Sequence, residues 1–218
     1  KKRVEGDPRK HRLELIQGDI LKTPLPFFDV CVANLPYNIS SPFLFKLLAH
    51  RPYFRCAVVM FQEEFAQRLS ARPGDSLYCR LSVNTQLLAK VTQLIKVGRN
   101  NFRPPPKVDS RVVRIELKNP PPPVNFVEWD GLVKLCFNRK NKTLRSLFTS
   151  KKVIADLETS WKTFAALRGS SGEAPDVKAM VEEVVAEERF DGKRPAKMDQ
   201  DDFLALLVAF NAKGLHFT

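Results

Sequence analysis

The run Asn34, Leu35, Pro36 and Tyr37 combines residue types that could hold a flat base edge-on to a reactive group. The Asn34 side chain offers a carbonyl acceptor and an amide donor. Pro36 removes a backbone donor and fixes φ, so we expect the carbonyls of Leu35 and Pro36 to face a crevice as acceptors. Tyr37 supplies an aromatic face for stacking. These four residues are therefore the first candidates for catalysis.

The chemistry that this set favours is methyl transfer to an adenine amine. That amine is a poor nucleophile because its lone pair is delocalised into the ring. Two acceptors that grip its protons would localise the lone pair toward an electrophilic methyl group, by positioning and electrostatics. The competing interpretation is an ordinary strand-to-helix turn, in which Ser41 caps a helix and Pro42 occupies its first position. The four residues alone leave both interpretations open.

Two further residues could complete such a site. Asp19 follows a predicted strand, and its carboxylate could accept a hydrogen bond from the amine of a nucleotide cofactor. Phe102 lies on a proline-rich loop near Arg103 and Lys107, an arrangement that suits base stacking with phosphate contacts. The alternatives are a solvated turn for Asp19 and a core position for Phe102.

Apolar patterning places these residues on an α/β scaffold. Strands are predicted at residues 13–17, 29–33 and 56–61, and helices at residues 42–50, 63–72 and 77–88. Residues 91–97 and 111–117 favour a pair of late strands in an antiparallel hairpin. The alternation predicts a mostly parallel sheet, with Asp19 and Asn34 at the same edge.

Four consecutive prolines, Pro120 to Pro123, mark a change in pattern. We expect an α/β domain over residues 1–119, a proline linker over residues 120–124 and a helical RNA-binding domain over residues 125–218. Behind the linker, Asn125 with Glu128 resembles a capping box, and further helices are predicted at residues 177–188 and 199–212.

The whole chain of 218 residues has a formal net charge of +12, and most of this charge lies in its first part. Residues 1–118 carry 21 Lys and Arg against 10 Asp and Glu, whereas residues 119–218 carry 15 against 14. This balance predicts a polyanionic partner, with nucleic acid ahead of an anionic membrane. Residues 139–152 contain no acidic residue, and we interpret their basic side chains as RNA contacts rather than as a merely solvated face. They are Arg139, Lys140, Lys142, Arg145, Lys151 and Lys152.

The composition disfavours other classes of protein. The four cysteines are isolated in apolar segments without a C-x-x-C pair, so we expect reduced thiols and no metal site. The sequence has no run of about 18 apolar residues and no signal-peptide pattern, so we expect a soluble protein with no membrane partner.

In order and spacing, five segments resemble the ribosomal RNA adenine dimethyltransferase family. They are Gly18-Asp19, residues 34–41, the loop from Phe102 to Ser110, residues 139–144 and residues 214–217. The loop at residues 100–106 and the terminal Gly214-Leu215-His216-Phe217 are similar to the eukaryotic branch, which acts in small-subunit ribosome biogenesis.

The resemblance implies a class I, Rossmann-like methyltransferase domain followed by a small helical domain. It implies S-adenosylmethionine as cofactor and two adjacent adenosines in the 3′-terminal hairpin of small-subunit rRNA as substrate. Asp19 and Asn34 would contact the cofactor, Asn34, Leu35 and Pro36 the target amine, while Tyr37 and Phe102 would enclose the flipped-out base. The implied partner is a pre-ribosomal particle, the implied location is the nucleus and nucleolus, and a monomer is the simplest state.

One departure concerns the donor side of the site. The family's glycine-rich loop and the acidic residue after its second strand have no counterpart, since Gly6 and Gly18 are the only glycines before Asn34. The match therefore begins partway through the fold, and we expect an N-terminally incomplete methyltransferase domain. If the chain were complete, we would expect only weak cofactor binding and an RNA-binding remnant. A non-catalytic RNA-binding ribosome assembly factor is thus the alternative function. A DNA adenine methyltransferase is a weaker alternative, because no target-recognition domain is evident.

Overall fold

The computed structural model describes residues 5–167 and 175–217. A four-stranded sheet forms its first part, in the order β1-β2-β4-β3. Its strands are β1 (Val30–Asn34), β2 (Cys56–Gln62), β3 (Ala89–Val97) and β4 (Ser110–Leu117). β1 is parallel to β2, whereas β4 is antiparallel to both β2 and β3. The expected antiparallel hairpin is present, but the expectation of a mostly parallel sheet is wrong. The loop between β3 and β4 contains no crossover helix, so β4 has to return antiparallel to β3.

Three helices accompany the sheet: α1 (Ser40–Leu48), α2 (Glu63–Ser70) and α3 (Arg80–Leu88). α1 buries Phe43, Leu44 and Leu47 in the same cluster as Val59 and Phe61 of β2. The expected cap is wrong, because α1 begins at Ser40 directly after a single 3₁₀ turn, with Ile39 as its uncapped preceding residue. The motif at residues 34–37 is therefore coupled rigidly to α1.

Residues 13–17, predicted as a strand, form no strand in the structure. Their apolar side chains are exposed, Leu15 to 57%. A strand needs a neighbour for its backbone donors and acceptors, and the described residues provide none beside this segment. β1 is also at an edge of the described sheet, where the side chain of Val32 is 79% exposed.

Beyond the prolines the described chain is helical. The helices are α4 (Phe126–Asn138), α5 (Leu144–Phe148), α6 (Lys151–Leu167), α7 (Val177–Ala186) and α8 (Gln200–Ala212). Asn125 caps α4 by accepting the Val127 amide at 2.9 Å. Glu128 does not complete the expected capping box, because its carboxylate instead bonds to Nδ1 of His216 at 2.9 Å. None of the described helices is both long and apolar enough to cross a membrane.

Two hydrophobic clusters form the core, one against the sheet and one among the later helices. α3 joins them, since Leu81 packs against the first cluster while Val83 and Leu87 are buried in the second. The buried Tyr78 hydroxyl strengthens the junction by donating to the Met198 carbonyl at 2.8 Å. Packing therefore ties residues before the prolines to the helical part, and the predicted domain boundaries stay a prediction.

Candidate active site

Asn34 lies at the carboxyl end of β1, where its backbone is opposite Met60 of β2. The five residues of β1 alternate in exposure, and Asn34 is an exposed member of that pattern. Carboxyl ends of neighbouring parallel strands form the edge at which open α/β sheets bind ligands. The structure thus places the Asn34 amide where the sequence predicted it.

The turn after Asn34 differs in detail from the expected one. The Pro36 carbonyl accepts the Ile39 amide at 3.2 Å, so one of its two acceptor positions is used inside the turn. The Leu35 carbonyl has no hydrogen-bond partner among the described residues. Leu35 is therefore the better backbone acceptor for a ligand, and Pro36 serves first to shape the turn.

The Tyr37 side chain is held by a hydrogen bond to β4, the strand that lies on the other side of β2 from β1. Its hydroxyl is hydrogen-bonded to the hydroxyl of Ser110, which is fully buried at the start of β4. Because the hydroxyl is occupied, the aromatic face is what Tyr37 can offer to a ligand. The bond also joins the turn at residues 35–37 to the loop that carries Phe102.

That loop is anchored at both ends. The Asp109 carboxylate accepts the Arg99 amide at 3.0 Å and pairs with Lys96 Nζ at 3.1 Å. Phe102 is half-buried, so it is neither a fully buried core residue nor a fully exposed aromatic ring. The described residues show no ring contact between Tyr37 and Phe102, and the enclosure of a base between them stays a prediction.

Asp19 begins a tight, exposed turn. Its Oδ1 accepts the Leu21 amide at 2.9 Å, while Oδ2 has no hydrogen-bond partner among the described residues. The next residue, Ile20, lines a groove of about 490 Å³ together with Asn34 and Leu35. Ile20 and Asn34 therefore border one groove, whereas Asp19 is not among the residues that line it. No strand precedes Asp19 in the described chain, so the expected placement of Asp19 at the same sheet edge as Asn34 is wrong, and a site shared by the two residues stays a prediction. Apolar walls with an acceptor oxygen at the rim suit a nucleoside with an exposed amine.

An ion pair joins α2 to β4 next to this site. Arg111, the second residue of β4, donates to both carboxylate oxygens of Glu63 at 2.8–3.1 Å. The Arg111 hydrogen bonds lower the pKa of the Glu63 carboxyl below its ordinary value of 4.5. The side chains are only 22% and 16% exposed. The pair therefore holds the first residue of α2 against the strand that carries Ser110.

This ion pair predicts a specific pH dependence of stability. A carboxyl whose pKa is lowered by folding adds stability above its unfolded pKa and loses it as the pH falls through the folded value. We expect Glu63→Gln to lower the free energy of unfolding by about 1–2 kcal/mol at pH 7, with the deficit shrinking below about pH 4.5. Denaturant titrations at several pH values measure this. The exposed neighbour Glu64 has no such pair, and Glu64→Gln should show no deficit. An equal deficit at all pH values would contradict the assignment.

Most of the basic side chains predicted to contact RNA are exposed. Arg103 and Lys107 lie on the loop beside Phe102. The others are found from the end of α4 to the start of α6, with Arg145 in α5. None of these forms an ion pair with a described carboxylate. They are Arg103, Lys107, Arg139, Lys142, Arg145, Lys151 and Lys152. Unpaired exposed cations are available to phosphate groups.

Lys140 has a different role from the one predicted. Its ammonium donates to the carbonyls of Ser76 and Tyr78, each at 2.8 Å. Its own carbonyl accepts the Ala196 amide at 2.9 Å. Lys140 therefore ties three segments together, and it is removed from the set that faces an RNA backbone.

Sequence reasoning missed three residues that shape the site. Ser110 anchors Tyr37, Arg111 pairs with Glu63, and Lys46 of α1 donates to carbonyls of the turn that contains Asp19. Only Lys46 had a local signal, since it is the one charged residue in the apolar stretch from Ser40 to Leu48. The other two roles depend on which strand lies beside β2.

Comparisons with known sequences agree on one family. Residues 1–168 match the family described as "Ribosomal RNA adenine dimethylase". The chain is 60% identical over 219 residues to a probable dimethyladenosine transferase of Dictyostelium discoideum, covering 99% of this chain and 70% of that protein. It is 58% identical over 218 residues to the Drosophila melanogaster protein of the same name, covering 99% and 71%.

Solved structures agree with this. A dimethyladenosine transferase from Plasmodium falciparum superposes with a TM-score of 0.92 at 45% identity, covering all of this chain and 78% of that one. The 23S rRNA methyltransferase ErmE gives a TM-score of 0.61 at 23% identity, covering 96% and 75%. The second similarity concerns the fold, which is Rossmann-like.

Proposed function

The chain belongs to the family described as ribosomal RNA adenine dimethylase and is an rRNA adenine dimethyltransferase, and from that premise we propose its substrate, cofactor and residue roles. The substrate is a pair of adjacent adenosines in the 3′-terminal hairpin of small-subunit rRNA. The methyl donor is S-adenosylmethionine. The observation that carries the proposal is the groove shared by Asn34, Leu35 and the residue next to Asp19.

Asn34 and Leu35 act on the target amine. The side-chain carbonyl of Asn34 and the backbone carbonyl of Leu35 accept hydrogen bonds from its two N–H groups, which localises the nitrogen lone pair and aligns it for attack on the methyl group. Pro36 holds the turn in shape. This is catalysis by orientation and electrostatics, so no side chain has to form a covalent bond.

Tyr37 and Phe102 hold the base. An adenine paired or stacked in a hairpin presents its amine to other bases, so it has to be flipped out before reaction. The anchored ring of Tyr37 gives one face of the pocket, and Phe102 on its anchored loop gives the other. Stacking is insensitive to sequence, and selectivity for adenine then depends on the two acceptors.

Asp19 and Asn34 hold the cofactor. When bound, S-adenosylmethionine supplies the electrophilic methyl group. The residues present fit its adenosine part: Asp19 Oδ2 is a free acceptor for the adenine amine, and Ile20 gives an apolar wall for the ring. Asn34 lines the same groove as Ile20 and would contact both the cofactor and the target amine.

The exposed cations position the RNA. Arg103 and Lys107 lie on the loop that carries Phe102, while Arg139, Lys142 and Arg145 contact more distant phosphates. We place this binding on a pre-ribosomal particle in the nucleus and nucleolus, with the protein acting as a monomer.

The test is methylation of RNA by the full-length protein with S-adenosylmethionine. The acceptors are pre-ribosomal particles and an isolated hairpin, and mass spectrometry of RNase fragments locates the product. We expect N6,N6-dimethyladenosine at two adjacent positions. A hairpin with both adenosines replaced by guanosine is the control and should stay unmodified. Particle binding without methylation would instead support the assembly-factor alternative, and methylation of another base would overturn the substrate assignment.

A further inference from the structure

Lys46 is half-buried and is the one charged residue of α1, and its ammonium donates only to backbone carbonyls. Nζ donates to Ile20 at 2.8 Å, to Leu21 at 3.0 Å and to Thr23 at 2.5 Å. An ammonium group has three donors, so each has a partner. Lys46 forms no ion pair with any described carboxylate. All three donors of the Lys46 ammonium therefore bond to backbone carbonyls of one turn.

That turn is the one that starts at Asp19. The Asp19 carbonyl accepts the amides of Lys22 at 3.0 Å and Thr23 at 2.8 Å, which closes the turn from inside. A Cβ at position 18 would collide with the Thr23 hydroxyl, so glycine is needed there for the chain to fold back. The amides of Lys22 and Thr23 are therefore bonded within the turn, whereas the carbonyls of Ile20, Leu21 and Thr23 accept hydrogen bonds from Lys46.

The helix that carries Lys46 also carries the catalytic motif. α1 starts at Ser40, directly after the turn that contains Tyr37. Phe43, Leu44 and Leu47 are buried against the sheet, so α1 has no freedom to move as a unit. One rigid helix therefore holds Asn34 through its amino end and Asp19 through Lys46.

We propose that Lys46 is a positioning residue that fixes the Asp19 turn relative to Asn34 and so sets cofactor affinity. This inference rests on the proposed function, because it takes Asp19 as a cofactor contact. Without the ammonium, three carbonyls lose a charged donor and the turn samples other shapes. The cofactor then has to order Asp19 when it binds, and the entropic cost of that ordering weakens binding.

The test uses the full-length protein with S-adenosylhomocysteine as probe, since it has no methyl group to transfer. We expect Lys46→Met to raise the calorimetric Kd about tenfold, by analogy with the loss seen when hydrogen-bond partners of metal-binding side chains are removed. Hydrogen exchange of the Lys22 and Thr23 amides should accelerate in the same variant. The kcat at saturating cofactor and the Kd for hairpin RNA should stay unchanged. Lys46→Arg, which keeps the charge but changes the donor geometry, should lie between parent and Met variant.

Two controls separate the outcomes. Lys134→Met makes the same change at an exposed position of α4 and should leave Kd and exchange unchanged. Asp19→Ala should raise Kd with little change in exchange of distant amides. If Asp19→Ala raises Kd but Lys46→Met and Lys46→Arg do not, the role of Lys46 is overturned and the proposed function stands. If Asp19→Ala also leaves Kd unchanged, the cofactor assignment itself fails. If Lys46→Met does not fold, an unchanged Kd for Lys46→Arg overturns the role.

Discussion

Asn34→Ala is expected to reduce kcat for adenine methylation by about 10³-fold, with the affinity for hairpin RNA unchanged. The amide lies at the carboxyl end of β1, exposed to the groove, and no other described side chain takes its place there. Without it, the target amine has only backbone acceptors, and its lone pair stays in the ring. Single-turnover methylation and a separate RNA-binding titration measure the two quantities. Asn119→Ala, an exposed loop asparagine, is the matched control and should behave as the parent.

Tyr37 extends the same experiment to the base. Tyr37→Ala removes a stacking face and should reduce methylation about 10- to 100-fold. Tyr37→Phe keeps the face and loses only the bond to Ser110, so its loss should be smaller, about fivefold. Near-parent rates for Asn34→Ala or Tyr37→Ala would refute the motif's role. Equal losses for Tyr37→Ala and Tyr37→Phe would show that the hydroxyl, and not the ring face, matters.

The largest effect on stability is expected at Asn84, where the two hydrophobic clusters meet. Asn84 is buried on α3, and its Oδ1 accepts the indole N–H of the fully buried Trp129 at 3.0 Å. Its amide donates to Asp130 Oδ1 at 2.5 Å, and Arg80 donates to both Asp130 oxygens at 2.8 and 2.5 Å. One side chain thus satisfies two partners on α4.

Asn84→Ala should lower the free energy of unfolding by about 2–4 kcal/mol, because the Trp129 N–H is left buried without an acceptor. Denaturant titration measures this. Trp129→Phe removes the donor, so the double variant Asn84→Ala/Trp129→Phe should lose clearly less than the sum of the single losses. Additive losses would mean that the bond does not couple the helices. A loss within error of that of Asn119→Ala would refute the prediction.

Asn34 and Asn84 differ in how much of their surroundings could be predicted from the sequence. The position of Asn34 at the end of a strand could be predicted because an apolar run followed by Asn-Leu-Pro-Tyr is a local pattern, whereas its catalytic role stays a prediction. Nothing near Asn84 indicates a partner, since Trp129 lies 45 residues away along the chain. The coupling exists only because α3 packs on α4.

Local physical chemistry determined the strands β1 and β2, the helices α1 and α2, the hairpin of β3 with β4, and the cap at Asn125. Periodicity depends on residues a few positions apart, so the sequence suffices for it. Capping was predicted less well, because α1 has no side-chain cap and Glu128 bonds to His216 instead of completing a capping box. Tertiary structure alone decided the rest. Residues 13–17 have no neighbouring strand in the described chain. Lys140 donates to backbone carbonyls of another segment instead of facing a phosphate, and Glu128 bonds to His216 instead of capping α4. Tertiary structure also brought Lys46 to the Asp19 turn. Each of these outcomes depends on a donor or acceptor that the fold brings from elsewhere, and hydrogen-bond demand in the sequence does not specify which one will satisfy it.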